Sequence, residues 1–264
     1  MSVKMVRDNG TAIFVCPQCS GEFESQYSFC EDFFCADAIR QMYEKLLCPS
    51  CIAANEKAKE AEMEQRFQAE LLSSLDQRLA EAGVPKRFRN MDKPFVRHTA
   101  EWIYRNRDKS LLISGMTGTG KTSSACFVLR LLLRQSCISS RYCSRQGLFA
   151  DYTRAKTTDG DNEYYFLSRL DKLDLLIIDE MVGKKGDARL SDSAQELFFN
   201  LIDGVYSQAR DTRVWILGNF YRGAIDNLVD DPEPIKRRIK ESFKIAWFDM
   251  EAVDDTLSLD AGNP

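Results

Sequence analysis

The chain has 264 residues, 44% hydrophobic and 29% charged, which excludes global disorder and a fibrous architecture and suits one sizeable domain with a smaller appendage. A formal net charge of −4 excludes a protein that holds nucleic acid by bulk positive charge alone. No stretch approaches the roughly 18 consecutive apolar residues of a membrane span, and the N-terminus lacks the long apolar segment of a secretory signal, so no membrane contact and a cytoplasmic location are expected.

Six of the nine cysteines, Cys16, Cys19, Cys30, Cys35, Cys48 and Cys51, lie in the first 51 residues. In a reducing compartment such thiols serve as metal ligands more readily than as disulfides. Cys16-Pro17-Gln18-Cys19 and Cys48-Pro49-Ser50-Cys51 form two C-x-x-C knuckles, each offering two thiolates to a tetrahedral zinc ion. Metal binding could supply about 10 kcal/mol to a module too small for a strong apolar core. Six cysteines cannot share one four-coordinate site, so a ligand set using Cys30 or Cys35 stays open. A redox role is disfavoured because no βαβ pattern surrounds the pairs. His98, the single histidine, reads as a surface or packing residue.

Residues 1–51 are thus assigned to a cysteine-rich zinc module and 52–83 to a helical connector, rich in Ala, Glu, Lys, Gln and Leu. Gly83 supplies a stop and Pro85 blocks continuation. Phe88, Met91 and Phe95 are expected to dock the following linker on the next domain. Short basic clusters occur at Lys86, Arg87 and Arg89, at Lys184 and Lys185, and at Lys236, Arg237, Arg238 and Lys240; each reads as solvated surface or as a local nucleic-acid contact.

From residue 84 to 250 short apolar runs alternate with helical patterns, which predicts an α/β domain with a parallel sheet and crossover helices. The run Ser110 to Ser114 enters Gly115-Met116-Thr117-Gly118-Thr119-Gly120-Lys121-Thr122, followed at once by an amphipathic helix. This is a P-loop in its required strand–loop–helix context. Glycines let successive N–H groups turn towards one anion, Lys121 is expected to reach the β- and γ-phosphates of ATP, and Thr122 to bind magnesium. In LDLLIIDE, residues 173–180, Asp179 ends a buried strand as the magnesium partner and Glu180 is placed to activate a water. A third strand, Val214 to Leu217, leads to Asn219, read either as a γ-phosphate sensor or as the start of a turn. Arg237 and Arg238 begin a helix and cannot both face one way; one of them could reach a neighbour's nucleotide, or both belong to a solvated face. Residues 251–264 read as an acidic tail.

The region from about 84 to 250 resembles the AAA+ ATPases of the DnaC/DnaI-type bacterial helicase loaders, with the IstB-type transposition helpers close behind. The resemblance rests on AGVPKRFRN, GMTGTGKT, LDLLIIDE, LFFNLIDGVYSQ, WILGN and KRRI in that order. It implies a Walker A site at Lys121 and Thr122, a Walker B pair at Asp179 and Glu180, a first sensor at Asn219 and an arginine finger at Arg238. It further implies binding to a replicative DNA helicase through the N-terminal part and to single-stranded DNA through the ATPase domain. Where many relatives carry paired arginines, this chain has Gly204 and Val205.

These readings predict a helicase loader for replication initiation whose ATPase domains self-associate when ATP binds. A transposition helper would share the core and differ in partner. A small-molecule P-loop kinase is disfavoured by Glu180, Asn219 and the zinc-type module, and a purely DNA-binding zinc protein leaves the nucleotide motifs unexplained.

Overall fold

The computed structural model describes residues 3–6, 11–26, 47–157, 161–181, 189–209, 211–220 and 224–248. Cys30, Cys35, Lys184, Lys185 and the expected acidic tail lie outside the described residues. The chain divides into two compact units, Met1–Ala69 and Glu70–Pro264.

In the first unit, strands β1 (Val3–Val6), β2 (Thr11–Val15) and β3 (Glu22–Gln26) form an antiparallel meander in the order β1-β2-β3. Phe14 is buried with its ring centroid 5.8 Å from that of Phe23, and Cys16, Cys48 and Cys51 are buried nearby in sequence-distant pairing. Among the described residues these few buried groups give little hydrophobic stabilisation, which is why a metal would matter here. Helix α1 (Pro49–Ser73) starts with Pro49, whose fixed φ and missing N–H suit the first helical position.

The predicted connector over 52–83 is helical but interrupted: α1 ends at Ser73 and α2 (Leu75–Glu81) follows. Ser74, whose hydroxyl donates to the Glu70 carbonyl at 2.8 Å, separates them. Helix α2 ends at Glu81, and Gly83, just past its cap residue Ala82, takes φ +83° as a stop signal should, with the Val84 N–H donating to the Leu79 carbonyl.

The second unit continues with α3 (Lys86–Arg89), α4 (Arg97–Arg105), β4 (Leu111–Gly115), α5 (Lys121–Gln135), β5 (Ser140–Ser144), α6 (Arg145–Thr157), α7 (Asp161–Asp171), β6 (Leu175–Asp179), α8 (Asp192–Tyr206), β7 (Arg213–Gly218), α9 (Ala224–Leu228), α10 (Pro232–Ser242) and β8 (Lys244–Phe248). Its five strands are all parallel, in the order β5-β6-β7-β4-β8. The alternation of side chains along the strands sends Leu176, Ile178, Val214 and Ile216 into one core with Tyr152, Phe198 and Ile239. Leu175, Ile177, Trp215 and Leu217 enter the other with Leu79, Leu129 and Leu133. Burial on both faces explains why the central strands β4, β6 and β7 read as nearly unbroken apolar runs, whereas β5 is mostly polar and half-buried and β8 leaves Ile245 and Trp247 exposed.

Phe88 and Met91 are buried in the second of these cores as expected, whereas Phe95 is 71% exposed and does not dock. No described helix is long and apolar enough to cross a membrane.

Candidate functional site

Strand β4 lies between β7 and β8, so the chain leaving its C-terminal end emerges where strand order reverses, the position at which open α/β sheets bind ligands. The next residues are the glycine loop. Gly115 sits so close to β8 that a Cβ there would lie 2.2 Å from the Phe248 carbonyl oxygen. Gly120 takes φ +73° and hands the chain to α5 at Lys121. The loop is fastened from below: Thr119 Oγ1 donates to the Met116 carbonyl at 2.9 Å and Thr99 Oγ1 to the Thr119 carbonyl at 3.2 Å.

Lys121 Nζ donates to the carbonyls of Gly115 at 2.8 Å and Met116 at 2.7 Å. Burial lowers its pKa, opposed by the charge of Asp179. Thr122 Oγ1 donates to Asp179 Oδ2 at 2.8 Å, and Tyr142 Oη donates to the same oxygen at 2.5 Å. The other oxygen, Oδ1, accepts the Glu180 N–H at 2.8 Å. Glu180 is exposed and has φ +56°, the left-handed region that non-glycine residues rarely adopt. Asn219 Nδ2 donates to Thr117 Oγ1 at 3.4 Å, joining the end of β7 to the loop.

These groups surround a cavity of about 830 Å³ lined by Thr117, Gly118, Gly120, Lys121, Thr122, Asp179, Glu180 and Asn219. Gly115 and Thr119 support the loop without lining the cavity. Arg238 is elsewhere, with its Nε 2.8 Å from Asp203 Oδ1 on α8. Hydroxyl and carboxylate oxygens held together, as Thr122 and Asp179 are, suit magnesium, a hard cation that prefers oxygen donors.

Arg87, Phe88, Phe95, Val96, Ser123, Arg145, Gln146 and Gly218 complete the lining. Arg87 belongs to a basic cluster read from sequence as solvated surface or a local nucleic-acid contact, not as part of this cavity. Tyr142 lies within the mostly polar β5 and Arg145 and Gln146 follow that strand, a stretch that carries no local motif; the pairing of β5 with β6 brings it to Asp179.

In the first unit the four sulfurs of Cys16, Cys19, Cys48 and Cys51 all lie within 4.8 Å of one another, with Cys19 Sγ and Cys48 Sγ 3.6 Å apart. Zn–S bonds of about 2.3 Å in a tetrahedron require sulfur separations of about 3.8 Å, so this set fits zinc. The Cys48 N–H donates to Cys16 Sγ and the Gly21 N–H to Cys19 Sγ, orienting the sulfurs. The Cys48 N–H is the chief cause that lowers the Cys16 pKa to about 6, and the Ser50 hydroxyl lowers that of Cys48. Hydrogen bonding to Cys48 and burial raise that of Cys51.

Among solved structures, the DnaC helicase loader is 19% identical, with 57% of this chain and 86% of that one covered at a TM-score of 0.46. DnaI is also 19% identical, with 57% and 81% covered at 0.44. AMPPCP-bound DnaA from Aquifex aeolicus is 14% identical, with 57% and 44% covered at 0.45. A search of the curated proteins finds no match. The family described as IstB-like ATP binding protein matches residues 51–217, well over half of the chain. This protein therefore belongs to the IstB-like ATP-binding proteins, as a P-loop ATPase of AAA+ type.

Proposed function

We propose that this ATPase loads a replicative DNA helicase onto single-stranded DNA, using ATP binding to assemble and ATP hydrolysis to let go. The observation that carries the hydrolytic reading is the gathering of Lys121, Thr122, Asp179 and Glu180 around one cavity, with Thr122 and Asp179 2.8 Å apart. The N–H groups of Gly118, Gly120 and Lys121 at the start of α5 would receive the phosphates. Lys121, bonded to loop carbonyls, would exchange them for β- and γ-phosphate oxygens. Thr122 and Asp179 would hold magnesium, which when bound neutralises charge developing on the phosphates. Glu180 would orient and deprotonate the attacking water, and Asn219 would bear on the γ-phosphate end through the loop.

The four-cysteine set would hold zinc and give the N-terminal unit a rigid face for the helicase. Arg238 would reach a neighbouring subunit's nucleotide only after leaving Asp203. A cytoplasmic setting suits free thiols at these positions. Support for the partner assignment comes from the residues shared with helicase loaders, and the family match supports a second reading, a transposition helper acting on duplex DNA.

Mixing the protein with a replicative helicase and labelled single-stranded DNA, with and without ATP, tests the proposal. A ternary complex that forms with ATP and dissociates on hydrolysis supports loading. Binding to duplex DNA and a transposase, with no helicase complex in either condition, defeats it.

A further inference from the structure

We infer that Tyr142 is a positioning residue that aims the Asp179 carboxylate for magnesium. This rests on the reading of Asp179 as the carboxylate that serves the metal of ATP. Asp179 is 6% exposed, and three protein donors fix its plane: Thr122 and Tyr142 on Oδ2, and the Glu180 N–H on Oδ1. Thr122 comes from the phosphate loop's helix and has its own bond to make with the nucleotide's metal. Tyr142 arrives from the neighbouring strand and, being pinned there, can orient Asp179 whether or not nucleotide is bound.

Three features fix Tyr142 itself. Its strand pairs with β6 in a register that sets Tyr142 against Ile177 and Ser144 against Asp179, so the phenol spans the strand end towards the carboxylate. Its N–H donates to the Ala82 carbonyl at 2.6 Å. Gly83 lies so close that an added Cβ would come within 2.5 Å of the Tyr142 carbonyl oxygen. The turn after α2 thus clamps the backbone that carries the phenol. A donor that orients a metal-binding carboxylate acts on metal affinity with little effect on metal-free ligand binding.

The test is equilibrium binding of a fluorescent ATP analogue to wild type, Tyr142→Phe and Asp179→Asn, first in EDTA and then across a magnesium titration. Tyr142→Phe is expected to keep the EDTA affinity within about twofold and to need about tenfold more magnesium for half its effect. Its melting temperature without nucleotide should stay close to that of wild type. If Tyr142→Phe follows the wild-type magnesium curve while Asp179→Asn departs from it, the positioning role is wrong and the Asp179 reading stands. If Asp179→Asn also follows the wild-type curve, the reading of Asp179 fails and takes the inference with it. An equal loss of affinity by Tyr142→Phe with and without magnesium would mark Tyr142 as merely structural and overturn the inference.

Discussion

Arg238 is tied to Asp203 within its own chain: its Nε lies 2.8 Å from Asp203 Oδ1, and its guanidinium carbon lies 4.7 Å from the centroid of the Phe199 ring and 5.6 Å from that of Tyr206. Its side chain is 17% exposed, whereas its neighbour Arg237 is exposed. An arginine so held helps join α10 to α8 in addition to any role it has across subunits. Arg238→Ala should therefore cost about 1–2 kcal/mol of stability, since a cation–π contact and a partly screened ion pair are lost together. Arg237→Ala should stay within about 0.5 kcal/mol. Urea unfolding of the two variants checks this; equal stability would show that the Asp203 contact contributes nothing. If Arg238 also acts in trans, its loss should slow ATP turnover only at concentrations where subunits assemble.

Lys121 and Glu180 should separate binding from turnover. Lys121→Ala removes an ammonium placed among the loop carbonyls, and charge-assisted bonds worth about 1.5–3 kcal/mol predict roughly a 10- to 100-fold loss of ATP affinity. Glu180→Gln keeps size and backbone conformation, so affinity should hold within about twofold while phosphate release falls by about 10² to 10⁴. Fluorescent nucleotide titration beside a phosphate-release assay reads both quantities. Equal loss of binding in the two variants contradicts the division of labour.

Two loop glycines should fail in different ways. A Cβ on Gly115 would lie 2.2 Å from the Phe248 carbonyl, and the two residues are register partners in the β4–β8 pair. Neither strand can yield without breaking the ladder, so Gly115→Ala should destabilise the fold by about 1–3 kcal/mol or more. Gly118 has φ +95° and nothing within 4 Å of its added Cβ, so Gly118→Ala should cost about 1 kcal/mol, from backbone strain alone. Its methyl would enter the space meant for phosphate. Denaturation midpoints should therefore fall mainly for Gly115→Ala, and nucleotide affinity should fall in Gly118→Ala with the fold intact.

The P-loop, Asp179 and Asn219 were legible because each depends on a local pattern: a glycine spacing before a helix, or a polar residue closing an apolar run. The central strands of the sheet were legible for the same reason, since β6 and β7, buried on both faces, are apolar along almost their whole length. Tyr142 was not, because its meaning comes from register between β5 and β6, which no short motif encodes. Arg87 could be seen only as one charge in a basic cluster, yet the α3 turn points it into the cavity. Phe95 illustrates the opposite error: it was expected to dock the linker beside Phe88 and Met91, but the turn before α4 leaves it exposed at the cavity rim.

Zinc uptake should show the uneven protonation of the four thiols. Cys16, held down to about 6 chiefly by the Cys48 N–H, is mostly thiolate at pH 7, while Cys51 is held up and keeps its proton until metal displaces it. Binding at pH 7 should therefore release fewer protons than the four that unperturbed thiols would give up, and the number should rise as pH falls through about 6 and Cys16 gains its proton. The same lowered pKa makes the metal-free folded unit favour thiolate, a contribution complete above the ordinary thiol value of 9.0 and lost as pH falls through about 6. Calorimetry in buffers of different ionisation enthalpy counts the protons. Cys16→Ser should lower zinc content and destabilise the N-terminal unit while leaving ATP affinity within about twofold, because the nucleotide residues belong wholly to the other compact unit. A full complement of four protons released at pH 7 would show that the Cys48 amide does not hold Cys16 as a thiolate.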